Sequence, residues 1–232
     1  MKTHRIGLAA IVTAFVATLG TASARADETP AAEAPAAPSA APAPPKSFEP
    51  HLVGDVRGML LVRSDDNYFR HASTFHYDLA STAPGVAVNV GVELHPRFSF
   101  LVGGHYAMSG ADRADARLRL LSGAVLGTAR FAFLRQATPD EKVVGDLAAT
   151  AGFGRYFLRE TYVNPALSPT TFKSDDGSFG IRLGMEPSLT FSNVRVVGGY
   201  AFHYAPATVG DRIGGSAYGG GHEISLGVGV RL

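Results

Sequence analysis

The chain carries acidic and basic side chains singly, within segments that are otherwise apolar or built from small residues. Such ions have to be paired, because a charge removed from water without a partner costs several kcal/mol. The spacing therefore indicates salt bridges, which either fill an interior or exchange partners and let small solutes pass. The residues concerned are Asp55, Arg57, Glu93, Arg130, Asp146, Arg182, Glu186, Arg195, Glu223 and Arg231.

Histidine supplies the other candidate chemistry. His105 and His203 could bind a metal ion together with a carboxylate, and His222 could act as a base. The two segments that carry His105 and His203 are not neighbours in the pattern described below, so we expect no metal site. No serine accompanies His222, and the absence of cysteine excludes thiol chemistry. We therefore expect no catalytic residue and no cofactor.

Strict alternation defines the segments that position these side chains. From Phe179 to Phe191, large apolar residues occupy every second position, while Gly180, Arg182, Gly184 and Glu186 lie between them. A period of two is that of a β-strand with one oily and one polar face. The pattern returns to predict eight strands: His51 to Arg63, Val86 to Leu94, Phe98 to Met108, Arg117 to Phe133, Val143 to Tyr156, Phe179 to Phe191, Val194 to Tyr204 and Ile224 to Leu232.

The connections between these strands alternate in length. Short turns at residues 95–97, 136–141 and 192–193 alternate with longer connections at 64–84, 109–116, 157–177 and 205–221. This arrangement is typical of an all-β, eight-stranded antiparallel up-and-down transmembrane β-barrel, with both termini and the short turns in the periplasm. A change of phase near Leu120 and Leu121 predicts a β-bulge. Pro187 within the sixth strand predicts another.

Composition decides which face meets lipid. A soluble ligand-binding barrel would alternate equally well, but its water-facing surface would carry many lysines and glutamates. Here the polar faces are mostly glycine, alanine, serine and threonine, and lysine beyond residue 26 is confined to Lys46, Lys142 and Lys173. We therefore expect hydrocarbon outside and paired charges inside. A soluble lipid-binding barrel remains an alternative.

The N-terminal segments are of different character. Lys2 and Arg5 precede an apolar run and then small residues at Ala22, Ala24 and Ala26, which indicates a secretory signal peptide over residues 1–26. Residues 27–50 are rich in alanine and proline and predict a disordered linker. The barrel then covers residues 51–232. A net charge of +1 gives no support for nucleic-acid binding.

With these segments in view, Leu52 to Leu232 resembles the OmpA/OmpX-like, or porin-like, superfamily of outer-membrane β-barrels. The resemblance implies residence in the bacterial outer membrane, contact with its lipid and lipopolysaccharide, and a monomeric barrel. It also implies that the last strand, Ile224 to Leu232, is recognised by the barrel assembly machinery. Members usually end that strand with an aromatic residue, whereas this chain ends in Leu232.

The expected function is therefore that of a non-enzymatic structural or surface-display scaffold with a charge-plugged lumen. Long extracellular connections would contact partners through aromatic residues, because binding residues concentrate on loops of rigid scaffolds. These are Tyr68, Phe69, Phe75, Tyr77 and Tyr162. A narrow channel for small or apolar solutes is the alternative, and a lipid A-modifying enzyme is a more distant one.

Overall fold

The computed structural model describes residues 48–63, 66–74, 76–77, 79–112, 116–140, 142–163, 171–210 and 217–232. The expected signal peptide and residues 27–47 of the expected linker lie outside the described residues. Within the described part of the chain, no helix is long and apolar enough to cross a membrane. The strands of this part close into a ring.

Eight long strands form the barrel, and each pairs antiparallel with its neighbours. They are β1 (His51–Val62), β2 (Thr82–His95), β3 (Phe98–Asp112), β4 (Arg117–Ala137), β5 (Val143–Val163), β6 (Thr171–Phe191), β7 (Val194–Tyr204) and β10 (Gly221–Arg231). Pairing of β1 with β10 closes the ring. Helix α1 (Asp66–Thr74) follows β1, and the two-residue strands β8 (Thr208–Val209) and β9 (Ala217–Tyr218) form a small hairpin after β7. The predicted fold class is confirmed.

The apolar face of every long strand points outward. Val88, Ile181 and Val228 are 50%, 41% and 60% exposed, whereas Asp146 is buried inside the barrel. A continuous apolar band around the outside of a closed barrel indicates hydrocarbon beside it, since exposure of so large an apolar surface to water would be unfavourable. This distribution is the reverse of that in a soluble ligand-binding barrel, which encloses its apolar face.

The prediction of a β-bulge near Leu120 and Leu121 is wrong. Strands β3 and β4 pair without a register shift from Phe98–Phe131 to Asp112–Arg117. The phase appeared to change because Leu118 and Leu120 are apolar yet point inward, where they are fully buried. The register of β4 against β5 shifts instead between Ala132 and Leu134.

The prediction of a β-bulge at Pro187 is also wrong. Strand β6 keeps one register along β5, with Leu147 opposite Pro187, and it keeps one register along β7 on either side of the proline. The pairs at residues 186 and 187 are missing from the β7 ladder, which accommodates the absent N–H group. Gly198 of β7 stands opposite, so the proline ring has room beside the neighbouring strand.

Strands β5 and β6 extend further than the sequence indicated. They run to Val163 and from Thr171, instead of ending at Tyr156 and beginning at Phe179. The outward positions of this extension include Arg159, which is exposed. Apolar alternation on the outer face therefore ends before the backbone pairing of β5 with β6 does.

The lipid-facing assignment predicts a depth-dependent cost for charge. Leu226→Arg, in the middle of β10 and 67% exposed, is expected to destabilise the folded barrel by about 2–4 kcal/mol. The matched variant Leu232→Arg, at the end of the chain and 68% exposed, should cost only about 0–1 kcal/mol. Urea titrations of barrels refolded into lipid vesicles measure both. Equal costs at the two positions would contradict a membrane around β10.

Candidate functional site

Glu186 is the centre of a buried ion network that crosses the lumen. From β6, its carboxylate contacts Arg57 Nη2 of β1 at 2.8 Å, Arg130 Nε of β4 at 2.8 Å and Arg195 Nη2 of β7 at 2.7 Å. All four side chains are buried. Strands β1 and β4 do not pair with β6, so their arginines reach Glu186 across the interior.

Two aspartates complete this layer. Arg57 Nε contacts Asp55 at 2.6 Å, and Asn89 donates to the same carboxylate at 2.8 Å. Arg130 Nη2 contacts Asp146 at 3.3 Å. Three arginines therefore face three carboxylates, and the layer is neutral as a unit. This balance lets so many ions remain away from water.

A second layer lies towards the short-turn end of the barrel. Glu93 contacts Arg231 Nη2 at 2.9 Å and lies 3.8 Å from Arg135 Nη1. Arg135 was absent from the predicted network, because simple alternation along β4 places it on the outer face. The register shift between Ala132 and Leu134 turns it inward, where it also lies 3.5 Å from Asp146.

The third layer combines an ion pair with aromatic and imidazole groups. Arg182 donates to the two oxygens of Glu223 at 3.0 and 3.3 Å. His203 Nε2 lies 2.8 Å from Glu223 Oε2, and His203 Nδ1 lies 3.0 Å from the hydroxyl of Tyr156. The sequence had indicated Arg182 and Glu223 as inward charges, but it contained no signal that Tyr156 would complete a hydrogen-bonded chain.

His105 and His203 meet in this layer, although their strands are not neighbours. The rings lie 5.0 Å apart, centroid to centroid, and the planes are nearly perpendicular. Strands β3 and β7 stand on opposite sides of the ring. The expectation that this separation would keep the two histidines apart is wrong, because an eight-stranded barrel is narrow enough for side chains to span it.

A cluster of buried apolar residues, called the apolar plug below, fills the lumen between the histidines and the end of the barrel that carries the long connections. Helix α1 and the segment after it bury Tyr68 and Tyr77 against Leu118 and Leu158 on the inner walls of β4 and β5. Ala207, which precedes β8, and Val209 of β8 belong to the same cluster.

Most of the aromatic residues expected to contact partners belong to this plug. Tyr68 and Tyr77 are 0% and 5% exposed, so the expectation that they are displayed is wrong. Phe69 and Tyr162 are partly buried against the same cluster, and Phe75 lies outside the described residues. Sequence alone could not show that the first long connection folds back over the barrel mouth.

Small cavities lie inside the described part of the barrel, on either side of the Glu186 layer. One, with room for about one water molecule, is lined by residues that include Arg57, Glu186, Arg182, His105 and Glu223. Another, smaller one lies on the short-turn side and is lined by Glu93, Arg130, Asp146, Arg195 and Arg231 among others. The ion network is therefore the partition between them.

The candidate base His222 lies on the outer wall. Its Nδ1 is 2.7 Å from the hydroxyl of Tyr200, and its ring stacks on the Tyr200 ring at 5.9 Å. The ring of Phe202, the residue opposite His222 on β7, lies 5.3 Å from the His222 ring, centroid to centroid. The sequence analysis did not identify Tyr200 as the partner of His222.

Comparison with known proteins finds solved structures with a similar architecture. No protein-family model matches the chain, and no curated protein sequence matches it. Among solved structures, the chain is similar to Ail, the attachment invasion locus protein of Yersinia pestis, in complex with the heparin analogue sucrose octasulfate. The TM-score is 0.51 and the identity 9%, over 79% of this chain and 97% of Ail. The chain thus has the fold of the OmpA/OmpX-like eight-stranded outer-membrane barrels.

Two further solved structures match less closely. Neisserial surface protein A matches with a TM-score of 0.42 and 16% identity, over 79% of this chain and 97% of that protein. The N-terminal barrel domain of Pseudomonas aeruginosa OprF matches with a TM-score of 0.41 and 14% identity, over 78% and 97% of the two chains.

The Glu186 hub predicts a large stability effect from a small change. Glu186→Gln keeps the shape but leaves three buried arginines around a neutral amide, and it should cost about 3–5 kcal/mol. Asp175→Asn is the matched control, since it removes one charge from an exposed pair with Arg159 and should cost less than about 1 kcal/mol. Because the chain has no tryptophan, urea unfolding is followed by circular dichroism. Similar midpoints for the two variants would show that Glu186 is not the hub.

Proposed function

We propose that this chain is a non-enzymatic integral scaffold of the bacterial outer membrane, with a closed lumen. The observation that carries the proposal is the double closure of the interior. The Glu186 layer joins β1, β4, β6 and β7 through buried ion pairs. The apolar plug, with Tyr68 at its centre, covers the opposite end. Among the described residues, both closures place side chains across the lumen.

The two ends of the barrel differ in a way that supports an orientation. One end carries the short turns after β2, β4 and β6 together with the start of β1 and the end of β10, where the backbones of Leu52 and Leu232 hydrogen bond to each other. The other end carries α1, the long hairpins and the plug. Short turns and both termini in the periplasm are the rule for such barrels. We place the plug at the cell exterior.

The outer wall of the hairpins is the surface we assign to outer-membrane lipid and lipopolysaccharide. Beyond the apolar band it presents Arg159, Lys173 and Asp175, all exposed. Asp112 accepts a hydrogen bond from Arg119, which holds the pKa of that carboxyl below its usual value and keeps it ionised. Mixed surface charge of this kind suits phosphate groups and their bridging cations.

The remaining partner assignments complete the proposal. We assign recognition by the barrel assembly machinery to the segment Ile224 to Leu232, which lies at the β1–β10 seam. We also assign a monomeric barrel, which closure of the ring by its own first and last strands supports. On the lipid-facing wall, the candidate base His222 is bonded to Tyr200 instead of to a serine. This arrangement favours a structural role over acyl-transfer chemistry.

A narrow channel is the second candidate, and the paired cavities favour it. One layer of ion pairs separates the two small cavities. A change of partners within that layer would join them, although the plug would still have to move.

Planar-bilayer recordings distinguish scaffold from channel. We expect no current steps from the refolded wild-type barrel. A plug variant, Tyr68→Ala with Leu118→Ala, should also be silent, because the Glu186 layer still closes the lumen. A wild-type barrel that conducts, and loses its conductance in Arg182→Ala, would overturn the scaffold proposal in favour of the channel. A shift in electrophoretic mobility on heating confirms folding in each case.

A further inference from the structure

We infer that His105, His203 and Glu223 form a binding site for a divalent transition metal of the zinc type within the lumen. The inference stands apart from the proposed function, because the three residues would bind the ion whether or not the barrel conducts. It rests on the convergence of donors, the orientation of the histidine, the support of the carboxylate and the space beside them.

The donors come from three strands and converge on one point. One ligand atom from each of His105, His203 and Glu223 lies within 4.8 Å of the other two, and all three residues are buried. Tetrahedral zinc places its ligand atoms about 3.3 Å apart, which follows from metal–ligand bonds of about 2.0–2.1 Å. Small side-chain rotations therefore suffice to close the site. Two imidazoles and one carboxylate are a donor set that zinc accepts.

Tyr156 orients His203 for this role. The Tyr156 hydroxyl lies 3.0 Å from His203 Nδ1 and 3.2 Å from the backbone carbonyl oxygen of Ile181. It holds one nitrogen of the ring, so that the other, Nε2, faces Glu223 Oε2 at 2.8 Å. A metal ion bound at Nε2 would take the place of the proton between these two atoms, which would then move slightly apart. Metal-bound histidines are commonly held by such a hydrogen bond on the second ring nitrogen.

Arg182 supports the carboxylate from the other side. It donates from Nη2 to Oε1 of Glu223 at 3.0 Å and from Nε to Oε2 at 3.3 Å. The guanidinium fixes the plane of the carboxylate and leaves the remaining lone-pair direction of Oε2 for His203 or a metal ion. Ligating carboxylates are typically hydrogen bonded in this way.

The lumen has room for a water molecule beside these donors. The small cavity above the Glu186 layer is lined by His105 and Glu223 and by the glycines Gly103 and Gly104, and it has the space of about one water molecule. Strand neighbours of His105 are Ala87 and Ala124, so small side chains flank it on both sides. A water from this cavity would supply the fourth ligand.

Metal binding at this point would tie opposite walls of the barrel together. His105 projects from β3, and His203 and Glu223 project from β7 and β10 across the ring. The apolar plug covers the site on the side of the long connections, and the Glu186 layer covers it on the side of the short turns. We therefore expect the ion to enter while the barrel folds, and not afterwards.

The test is a refolding experiment with untagged barrel. Wild type is refolded into detergent with one equivalent of zinc chloride, dialysed against a weak chelator and analysed for metal by mass spectrometry. We expect one zinc ion per barrel, and a higher unfolding temperature than for barrel refolded without zinc. His105→Ala and His203→Ala should lose the ion. Cobalt substituted for zinc should show the visible bands of tetrahedral coordination.

Three controls keep the result interpretable. His222→Ala removes a histidine from the outer wall and should retain one zinc ion. His105→Ala keeps the chain of Glu223, His203 and Tyr156, so it should fold, and heat-dependent gel mobility checks this. Tyr156→Phe should weaken binding about tenfold or more without abolishing it. A folded wild type that retains no zinc, or retention that survives loss of either inner histidine, overturns the inference.

Discussion

Closure of the sheet by β1 and β10 is the constraint on which the rest of this protein depends. Hydrocarbon offers no hydrogen bonds, so every backbone group of the spanning strands has to find its partner in a neighbouring strand. The paired register from Val53–Arg231 to Val62–His222 meets that demand without a free edge. Closure with eight strands also fixes a narrow interior, and the narrow interior brings side chains from opposite walls into contact.

The interior consequently behaves as a stack of layers. Glu93 and Arg231 pair near the short-turn end, the Glu186 hub follows, then the layer with Arg182 and Glu223, and finally the apolar plug. Small residues make this possible. At Gly91, for example, a Cβ would come within 2.0 Å of a backbone oxygen of β3, so only glycine permits that approach. Each layer joins strands that do not pair with one another.

Sequence reasoning succeeded for features that depend on the alternation of residues along one strand. It failed for features that depend on contacts between distant parts of the chain. Alternation along Phe179 to Phe191 assigned the lipid face correctly, and it placed Arg182 and Glu186 inside. It misplaced the bulge at Leu120 and Leu121, because an apolar inner face under the plug looks like a change of phase. It also missed Arg135, which the register shift in β4 turns inward.

The amino-acid sequence by itself determined the strand number, the faces of the strands and the sign of the charges inside, because a side-chain period of two and connection lengths are local properties. Tertiary structure decided which charges share a partner, that Tyr68 closes the barrel mouth, and that His105 meets His203. These are distances across a closed ring, and they depend on stagger, diameter and the folding back of a connection. No local pattern encodes them.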